Sequence, residues 1–472
     1  MKKAVAYSIV PVLLALPFAQ ASSAARRETR VHHTVVAASG SPAPAGGNYF
    51  GFSAVDVNAR SQVTFNASLL GPSTTGVFVV DGRTTSAIAL GGNPDPAAGN
   101  FGFVSNPFIT PQGRVVFDAD VAGIFRSNGR MTIPLVRDGD PAPGGGTLSA
   151  SEHRANDRGA IAFAASVLDA TSTLGIFRAD GADTVAIARN GSAAPTGGTF
   201  TFFSKPALND RGQVAFFGEM SGGTGDFGIF RGDGGDLTPV FVANQAAPGG
   251  GTFVDFSDPL INKHGQVVAS VLLTNGAGAN GLVVGDGTDT VAIALEGHAA
   301  PKGGNYAGTF ALPLTLNDRG EVAFNVRLTG GTSGGGIFRG DGGHTTVVAL
   351  NGTLAPGTNG TFQTFRDLRL GRDGQVAFIA TLAIGTGGVD LSNNQGIWVG
   401  RSDEDLRLVV RTGDEINGRV LTALPAFGQF DMDDDGGVVW VGRFSSGSAV
   451  VFSRICDEDE DNHGRGGDHQ RR

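Results

Sequence analysis

Cysteine and lysine are scarce in this sequence, and each scarcity excludes a class of protein. Cys456 is the only cysteine among 472 residues, so no disulfide can form within the chain, and stability must come from packing. The lysines number five and are scattered, and the formal net charge is −9. We therefore expect no nucleic-acid partner, because a polyanion needs a clustered basic surface.

Long apolar runs are confined to the first two dozen residues. Lys2 and Lys3 precede an apolar stretch at residues 4–19, and small residues follow up to Ala21. This pattern predicts a secretory signal peptide and an exported protein, extracellular or periplasmic. The longest later run, residues 267–273, has the length of one strand, which predicts no membrane span.

Glycine is abundant instead. It accounts for 75 of the 472 residues, more than twice the roughly 7% usual in soluble proteins, which excludes a mainly helical chain. The glycines follow no three-residue period and prolines number 21, which excludes a collagen-like chain. With 32 phenylalanines available for a packed interior, the composition predicts an all-β protein with many turns.

One segment recurs eight times along the chain. Its clearest copies read NDRGAIAF from Asn156, NDRGQVAF from Asn209 and NDRGEVAF from Asn317. Successive copies are 52, 46, 53, 53, 55, 54 and 62 residues apart, which is room for four short strands each. The pattern suits a hairpin turn in which the Asn side chain bonds its own backbone and the glycine is left-handed. The turn residues singled out are Asn156, Gly159, Asn209, Gly212, Asn262, Gly265, Asn317 and Gly320.

The order of the strands predicts a closed ring. The chain opens on a fourth-type strand near Val35 and finishes on a third-type strand near Val450, so each end carries an orphan strand. A ring requires this offset when both termini complete its last sheet, because closure removes two exposed edges. We therefore predict an eight-bladed β-propeller of four-stranded blades, whose last blade combines three C-terminal strands with one N-terminal strand.

Four segments follow from this interpretation. Residues 1–21 are the signal peptide, residues 22–33 a short linker, residues 34–453 a propeller of eight repeats, and residues 454–472 a disordered acidic and polar tail. The expected oligomeric state is a monomer.

The segments that begin at Asn156, Asn209 and Asn317 resemble the NxxGxxAF tandem-repeat family of bacterial exported proteins. The likeness spans about residues 35 to 452, although Thr110, Gly371 and Asp433 replace the asparagine in other copies. The resemblance implies export and no particular activity.

One acidic segment is a candidate calcium loop. Asp431, Asp433 and Asp435 stand at alternate positions before Gly436, as in the opening of a calcium-binding loop. Gly442 occupies the twelfth position, where a bidentate Glu is usual, and the segment coincides with the hairpin turn of the last repeat. A plain acidic turn is therefore the competing interpretation, and we expect no other cofactor.

Other motifs have a structural interpretation. The GTSGG at residues 331–335 matches a nucleophile elbow but lies in a loop between two strands, where that motif has no helix to follow it.

Arginines recur at the ends of third strands, as at Arg126 and Arg178. We expect them to hold neighbouring blades together by pairing with carbonyls and aspartates, the alternative being an anion-binding ring. Trp398 and Trp440 are expected in the core.

No catalytic constellation stands out, so we predict a non-catalytic exported protein. It would bind or scaffold a surface glycan or another exported protein through loops at a mouth of the channel. The alternative is a secreted polysaccharide lyase or hydrolase with its site in the central channel.

Overall fold

The structure, a computed structural model, describes residues 29–457 except residues 45, 97–98, 120–122, 182, 277 and 426–427. The predicted signal peptide and residues 458–472 of the predicted tail lie outside the described residues. Residues Val31–Ile455 form one compact unit; a second unit contains Met1–Arg30 and Cys456–Arg472. None of the described residues belongs to a helix long and apolar enough to cross a membrane.

The described part of the chain begins with a strand, β1 (Thr29–Ala38). The strands that follow it form antiparallel sheets, or blades, one after another along the sequence. Blade 1 contains β2 (Asn48–Val57), β3 (Val63–Leu70), β4 (Thr75–Asp81) and β5 (Thr84–Leu90). Blade 2 contains β6 (Val104–Ile109), β7 (Val115–Ala119), β8 (Gly123–Ser127) and β9 (Thr132–Val136). Blade 3 contains β10 (Thr147–Ala155), β11 (Ile161–Leu168), β12 (Leu174–Ala179) and β13 (Thr184–Arg189). Blade 4 contains β14 (Thr199–Phe203), β15 (Ala207–Leu208), β16 (Val214–Ser221), β17 (Phe227–Gly232) and β18 (Thr238–Val242).

The remaining blades repeat this plan. Blade 5 contains β19 (Thr252–Phe256), β20 (Leu260–Ile261), β21 (Val267–Thr274), β22 (Asn280–Gly285) and β23 (Thr290–Leu295). Blade 6 contains β24 (Asn305–Leu316), β25 (Val322–Thr329), β26 (Gly335–Gly340) and β27 (Thr345–Leu350). Blade 7 contains β28 (Phe362–Leu370), β29 (Val376–Leu382), β30 (Gln395–Gly400) and β31 (Arg407–Arg411). Blade 8 contains β32 (Glu415–Ile416), β33 (Arg419–Ala423), β34 (Phe430–Met432), β35 (Val438–Phe444) and β36 (Gly447–Asp457), with β1 as its outer strand.

The predicted eight-bladed propeller and its closure are confirmed. In blade 8, β1 lies beside β36, so the outer strand comes from the N-terminus and the other strands come from the C-terminus. The Ser39 N–H donates to the Ser448 carbonyl at 2.8 Å, and His33 Nδ1 lies 2.8 Å from Ser453 Oγ. These contacts make the two strands antiparallel, so the ring is closed by main-chain hydrogen bonds between the two ends of the chain.

Second strands are packed on both faces. Val214 and Phe216 face one neighbouring blade, Ala215 faces the other, and all three are fully buried. Phe216 stands opposite Phe230 of β17, with ring centroids 5.9 Å apart, and similar pairs recur in other blades. A buried Phe side chain contributes about 1.5–3 kcal/mol, so the ring is held mainly by apolar layers between blades.

The inner strands depart from the simple plan. Pro206 separates β14 from β15, and Pro259 separates β19 from β20, because proline has no N–H to continue the ladder. At the ends of the unit, β1 begins at Thr29, inside the segment expected to be a linker. The last strand, β36, runs to Asp457, inside the segment expected to be a tail.

The two edges of each blade differ in the connections that they carry. The turn face is the edge with the hairpins between first and second strands and between third and fourth strands, such as residues 209–212 and 233–237. The loop face is the opposite edge, with the loops between second and third strands and between blades, such as residues 222–226 and 243–251.

Candidate functional site

The turn residues singled out in the sequence lie at the turn face, beside the central channel. Asn209 is buried, and its Oδ1 accepts the backbone N–H groups of Arg211 at 3.0 Å and Gln213 at 2.9 Å. Gly212 has φ of +82°, a conformation that disfavours any side chain with a Cβ. The other turn glycines also have positive φ, and Ser61 of the first copy has φ of +58°.

The asparagine side chains also join the blades, which the sequence did not reveal. Asn209 Nδ2 donates to the carbonyl of Asn262, the equivalent residue of blade 5, at 2.9 Å. The equivalent hydrogen bond, from an asparagine Nδ2 to the carbonyl of the next blade, joins Asn58 to Thr110, Asn156 to Asn209, Asn262 to Asn317 and Asn317 to Gly371. Each of these asparagines therefore closes its own turn and holds the next one.

Third-strand arginines strengthen the same junctions. Arg126 Nη1 donates to the carbonyl of Gly159 at 2.9 Å, and Arg178 Nη1 donates to the carbonyl of Gly212 at 2.6 Å. These contacts support the blade-joining interpretation of the arginines.

Asp433 takes the asparagine position where the ring closes. It is only 2% exposed, and its Oδ1 accepts the N–H of Gly437 at 2.7 Å. Its Oδ2 accepts from Ser61 of blade 1 at 3.0 Å and from Arg454 at 2.6 Å. A charged link thus replaces the amide link between the last blade and the first.

The three carboxylates of the candidate calcium loop are not gathered around one point. Asp431 Oδ1 accepts a hydrogen bond from Arg369 Nε at 2.8 Å. The Asp433 carboxylate already accepts hydrogen bonds from Gly437, Ser61 and Arg454. The side chain of Asp435 is 69% exposed. Among the described residues, no group of three or more His, Cys, Asp or Glu side chains could hold a metal ion. The geometry therefore favours the acidic turn, although calcium binding itself stays a prediction.

A carboxyl pair lies inside the channel beside this turn. Asp56 Oδ2 accepts the N–H of Ile109 at 2.6 Å, and the Asp56 side chain shares a hydrogen bond with Asp431. Burial raises the pKa of Asp56 well above its ordinary value, and the charge and hydrogen bond of Asp431 raise it further. The protonated form of Asp56 is therefore favoured at this contact between blades 1 and 8.

A cavity of about 840 Å³ opens at blade 2, and we treat it as the candidate binding site. Strand β7 has five residues, whereas the second strands of blades 1 and 3–6 have eight. The shortened strand leaves space between the inner strands of blades 1 to 3 on the side of the loop face. The polar residues that line this space include Asn106, Asp118, Glu152, His153, Arg154 and Lys205.

His153 and Asp118 face each other in this cavity. His153 Nδ1 lies 3.4 Å from Asp118 Oδ1, and Asn106 Nδ2 donates to Asp118 Oδ2 at 2.7 Å. Burial lowers the pKa of His153, while Asp118 opposes that shift and Arg154 and Lys205 add to it. The neutral form of the imidazole is therefore favoured, and the ring lies beside the Asp118 carboxylate without a hydrogen bond to it.

Exposed apolar side chains are concentrated on the loop face. Leu70 at the end of β3 is 61% exposed, and Phe50, Phe103 and Leu168 are exposed in the three blades that line the cavity. Further examples on this face are Leu272, Leu354, Ile384 and Leu391. The cavity is thus lined by polar residues together with apolar ones such as Val55, Phe108 and Ile124, and exposed apolar side chains lie on the same face of the ring.

Two other predicted features have a structural place. Trp398 and Trp440 are fully buried, as expected for core residues. The GTSGG segment lies in the loop that joins β25 to β26, with no helix after it. Neither feature contributes to the cavity.

The chain belongs to a family of proteins: residues 18–133 and 122–449 match the family described as "Family of unknown function (DUF7453)". The resemblance to NxxGxxAF proteins stays a prediction. No curated protein matches the sequence.

Solved structures of similar fold include several peptidases. A puromycin-hydrolyzing peptidase of Mycobacterium tuberculosis is 13% identical with a TM-score of 0.40, over 84% of this chain and 58% of that one. An acylaminoacyl peptidase of Pyrococcus horikoshii is 10% identical with a TM-score of 0.40, over 83% of this chain and 57% of that one. The β-propeller domain of the Trilobed protease from Pyrococcus furiosus is 10% identical with a TM-score of 0.41, over 79% and 99%. The chain thus spans little more than half of the two peptidases, and likenesses this distant do not bear on activity.

Proposed function

We propose that this member of a family without an assigned function is an exported, non-catalytic binding module that holds a segment of another exported protein. The observation that carries the proposal is the blade 2 cavity, which lies beside a second strand of only five residues. Its volume lies in the range typical of ligand sites, and its wall offers both hydrogen-bond donors and acceptors. Export rests on the N-terminal sequence pattern.

The surroundings of the cavity favour a protein partner. Protein interfaces combine an apolar, partly aromatic centre with polar groups that fix the register of the partner. Phe50, Leu70 and Leu168 supply apolar contacts beside the cavity, while Asn106 and Lys205 supply polar ones within it. A peptide segment presents both kinds of group at once.

A glycan partner has less support. Sugar rings are commonly held against the flat faces of Trp and Tyr side chains. In the described part of the chain Trp398, Trp440, Tyr49 and Tyr306 are all buried, so none of them can serve as such a platform.

A peptide selection tests the proposal. Peptides displayed as a random library are selected on the mature protein and counter-selected on Ser151→Trp, which fills the cavity from an exposed position on its wall. We expect peptides that prefer the wild type, and for these Leu70→Asp and Lys205→Ala should weaken binding by about tenfold or more.

The matched controls are Met131→Asp on the turn face, where Met131 is 63% exposed, and Lys302→Ala outside the cavity. They should leave the affinity unchanged. Failure to recover any discriminating peptide would overturn the proposal. A glycan whose binding on an array needs Lys205 would replace the protein partner with a glycan.

One observation favours a second candidate, a polysaccharide lyase or hydrolase. A histidine whose neutral form is favoured, beside a carboxylate in a cavity, is suited to take a proton from a substrate, and Arg154 and Lys205 lie in the same wall. Release of unsaturated or reducing sugar ends from polysaccharides by the wild type, and its loss in His153→Gln with activity kept in His344→Gln, would establish the enzyme.

A further inference from the structure

The mouth of the channel at the turn face is ringed by the residues that follow the turn asparagines. From blade 1 to blade 8 these are Ala59, Pro111, Asp157, Asp210, Lys263, Asp318, Arg372 and Asp434. Those of blades 3 to 8 line a cavity of about 310 Å³ at this mouth. The ring is therefore charged on most of its circumference and uncharged at blades 1 and 2.

Arg372 crosses this mouth. Its Nη2 lies 2.8 Å from Asp157 Oδ2, although Arg372 belongs to blade 7 and Asp157 to blade 3. In a ring of eight, blades 3 and 7 are opposite each other, so this ion pair spans the diameter of the channel. Arg372 Nε lies 3.2 Å from Asp434 Oδ2 of the neighbouring blade 8. The arginine thus has a near partner and a far partner.

Both partners of Arg372 have a raised pKa. Burial raises the pKa of Asp157 to about 6; Asp210, Asp434 and Asp318 raise it as well, whereas Arg372 opposes the rise. Burial also raises the pKa of Asp434, and Arg372 again opposes the rise. Lys263 is occupied by Asp318, with 3.1 Å between Nζ and Oδ2. Lowering the pH through about 6 therefore favours the protonated form of Asp157.

We propose that the Arg372–Asp157 ion pair is a gate across this mouth of the channel, closed while Asp157 is ionised and open when it is protonated. Protonation removes the far partner and leaves Arg372 beside Asp434, on its own side of the channel. Behind the mouth, a further cavity of about 320 Å³ shares Leu208, Ile261, Leu316 and Leu370 with the mouth cavity, so the opened gate would widen the passage between the two.

Crystal structures at pH 8 and pH 5 test the gate. At pH 8 we expect the ion pair as described, and at pH 5 a separation of Arg372 and Asp157 beyond hydrogen-bond distance, with Arg372 on the side of blade 8. In Asp157→Asn, which has no charge at either pH, Arg372 should leave blade 3 at both. An arginine that still spans the channel at pH 5 and in Asp157→Asn would overturn the proposal.

The matched control is Asp210→Asn, which removes a carboxylate from the same ring without removing a partner of Arg372. In this variant Arg372 should span the channel at pH 8, as it does in the wild type. A double-mutant cycle of Asp157→Asn with Arg372→Met, measured by denaturant unfolding, should show coupling at pH 8 that vanishes at pH 5. Coupling of equal size at both pH values would also contradict the gate.

Discussion

The side-chain amide of Asn209 donates to the carbonyl oxygen of Asn262, the residue in the same position of the next blade, over 2.9 Å. Both residues are buried, and the Asn262 carbonyl also accepts the N–H of Gly265 at 3.0 Å, so removing the amide takes away one of its two donors and also opens the turn of blade 4. We expect Asn209→Ala to lower the free energy of unfolding by about 1–3 kcal/mol in urea titration. Asn128→Ala is the control, because Asn128 closes an exposed turn without reaching another blade. Equal losses for both variants would show that the contact between blades contributes nothing.

Gly212 closes the same turn and lies against an arginine of the preceding blade. A Cβ there would lie 2.5 Å from Arg178 Nη1, and φ is +82°. Gly212→Val should therefore lower the free energy of unfolding by at least about 1 kcal/mol. Gly40→Ala separates the two causes, since Gly40 has φ of +81° but nothing within 4 Å of its Cβ position. A Gly212→Val melting curve like that of the wild type would contradict the turn assignment.

Asp433 is expected to serve folding rather than metal binding. Asp433→Ala leaves Arg454 and two backbone N–H groups without their acceptor, whereas Asp435→Ala removes only an exposed carboxylate. Since Arg454 is 34% exposed, we expect a loss of about 1–3 kcal/mol for the first and little for the second. The melting temperature of the wild type should be the same in calcium and in a chelator. A rise in calcium that Asp435→Ala abolishes would establish the calcium loop instead.

Asp56 should make stability depend on pH. Its pKa in the folded protein is raised well above the ordinary value of 3.8, so the folded state binds its proton more tightly than the unfolded state. The resulting stabilisation is complete below the unfolded pKa and is lost as the pH rises through the folded pKa. Unfolding titrations over a pH series should show this decline in the wild type, relative to Asp56→Asn. Parallel curves for the two proteins would contradict the raised pKa of Asp56.

Closure of the ring can be tested by truncation. Deleting residues 34–38 removes half of the outer strand of blade 8 and exposes the edge of β36. We expect a large loss of melting temperature or failure to fold, whereas deleting residues 458–472 should change little. Similar tolerance of the two deletions in a thermal scan would reject closure by the termini.

The architecture could be predicted because it is repeated. Each copy of the repeated turn segment marks one turn, so eight copies locate the blades, and the offset at the two ends fixes how the ring closes. The breaks at Pro206 and Pro259 were not predicted, since inner strands lack the alternation that marks the second strands. The turn asparagines were recognised, but their bonds to the next blade depend on how closely neighbouring blades approach.

The candidate site was harder to find, because the cavity arises where one repeat has fewer residues than the others. The spacing of 46 between Gly113 and Gly159, the shortest of the series, is the signal that could have located it. His153 and Asp118 are 35 residues apart on different blades, and Arg372 and Asp157 are 215 apart on opposite ones, so neither pair forms a motif.

The antiparallel pairing of β1 with β36 also has a consequence for engineering. Because the start of β1 lies beside the end of β36, a short linker could join these two ends. New termini could then be introduced in a surface loop of another blade. Such a circularly permuted chain would keep every blade, but all the strands of blade 8 would then be contiguous in sequence.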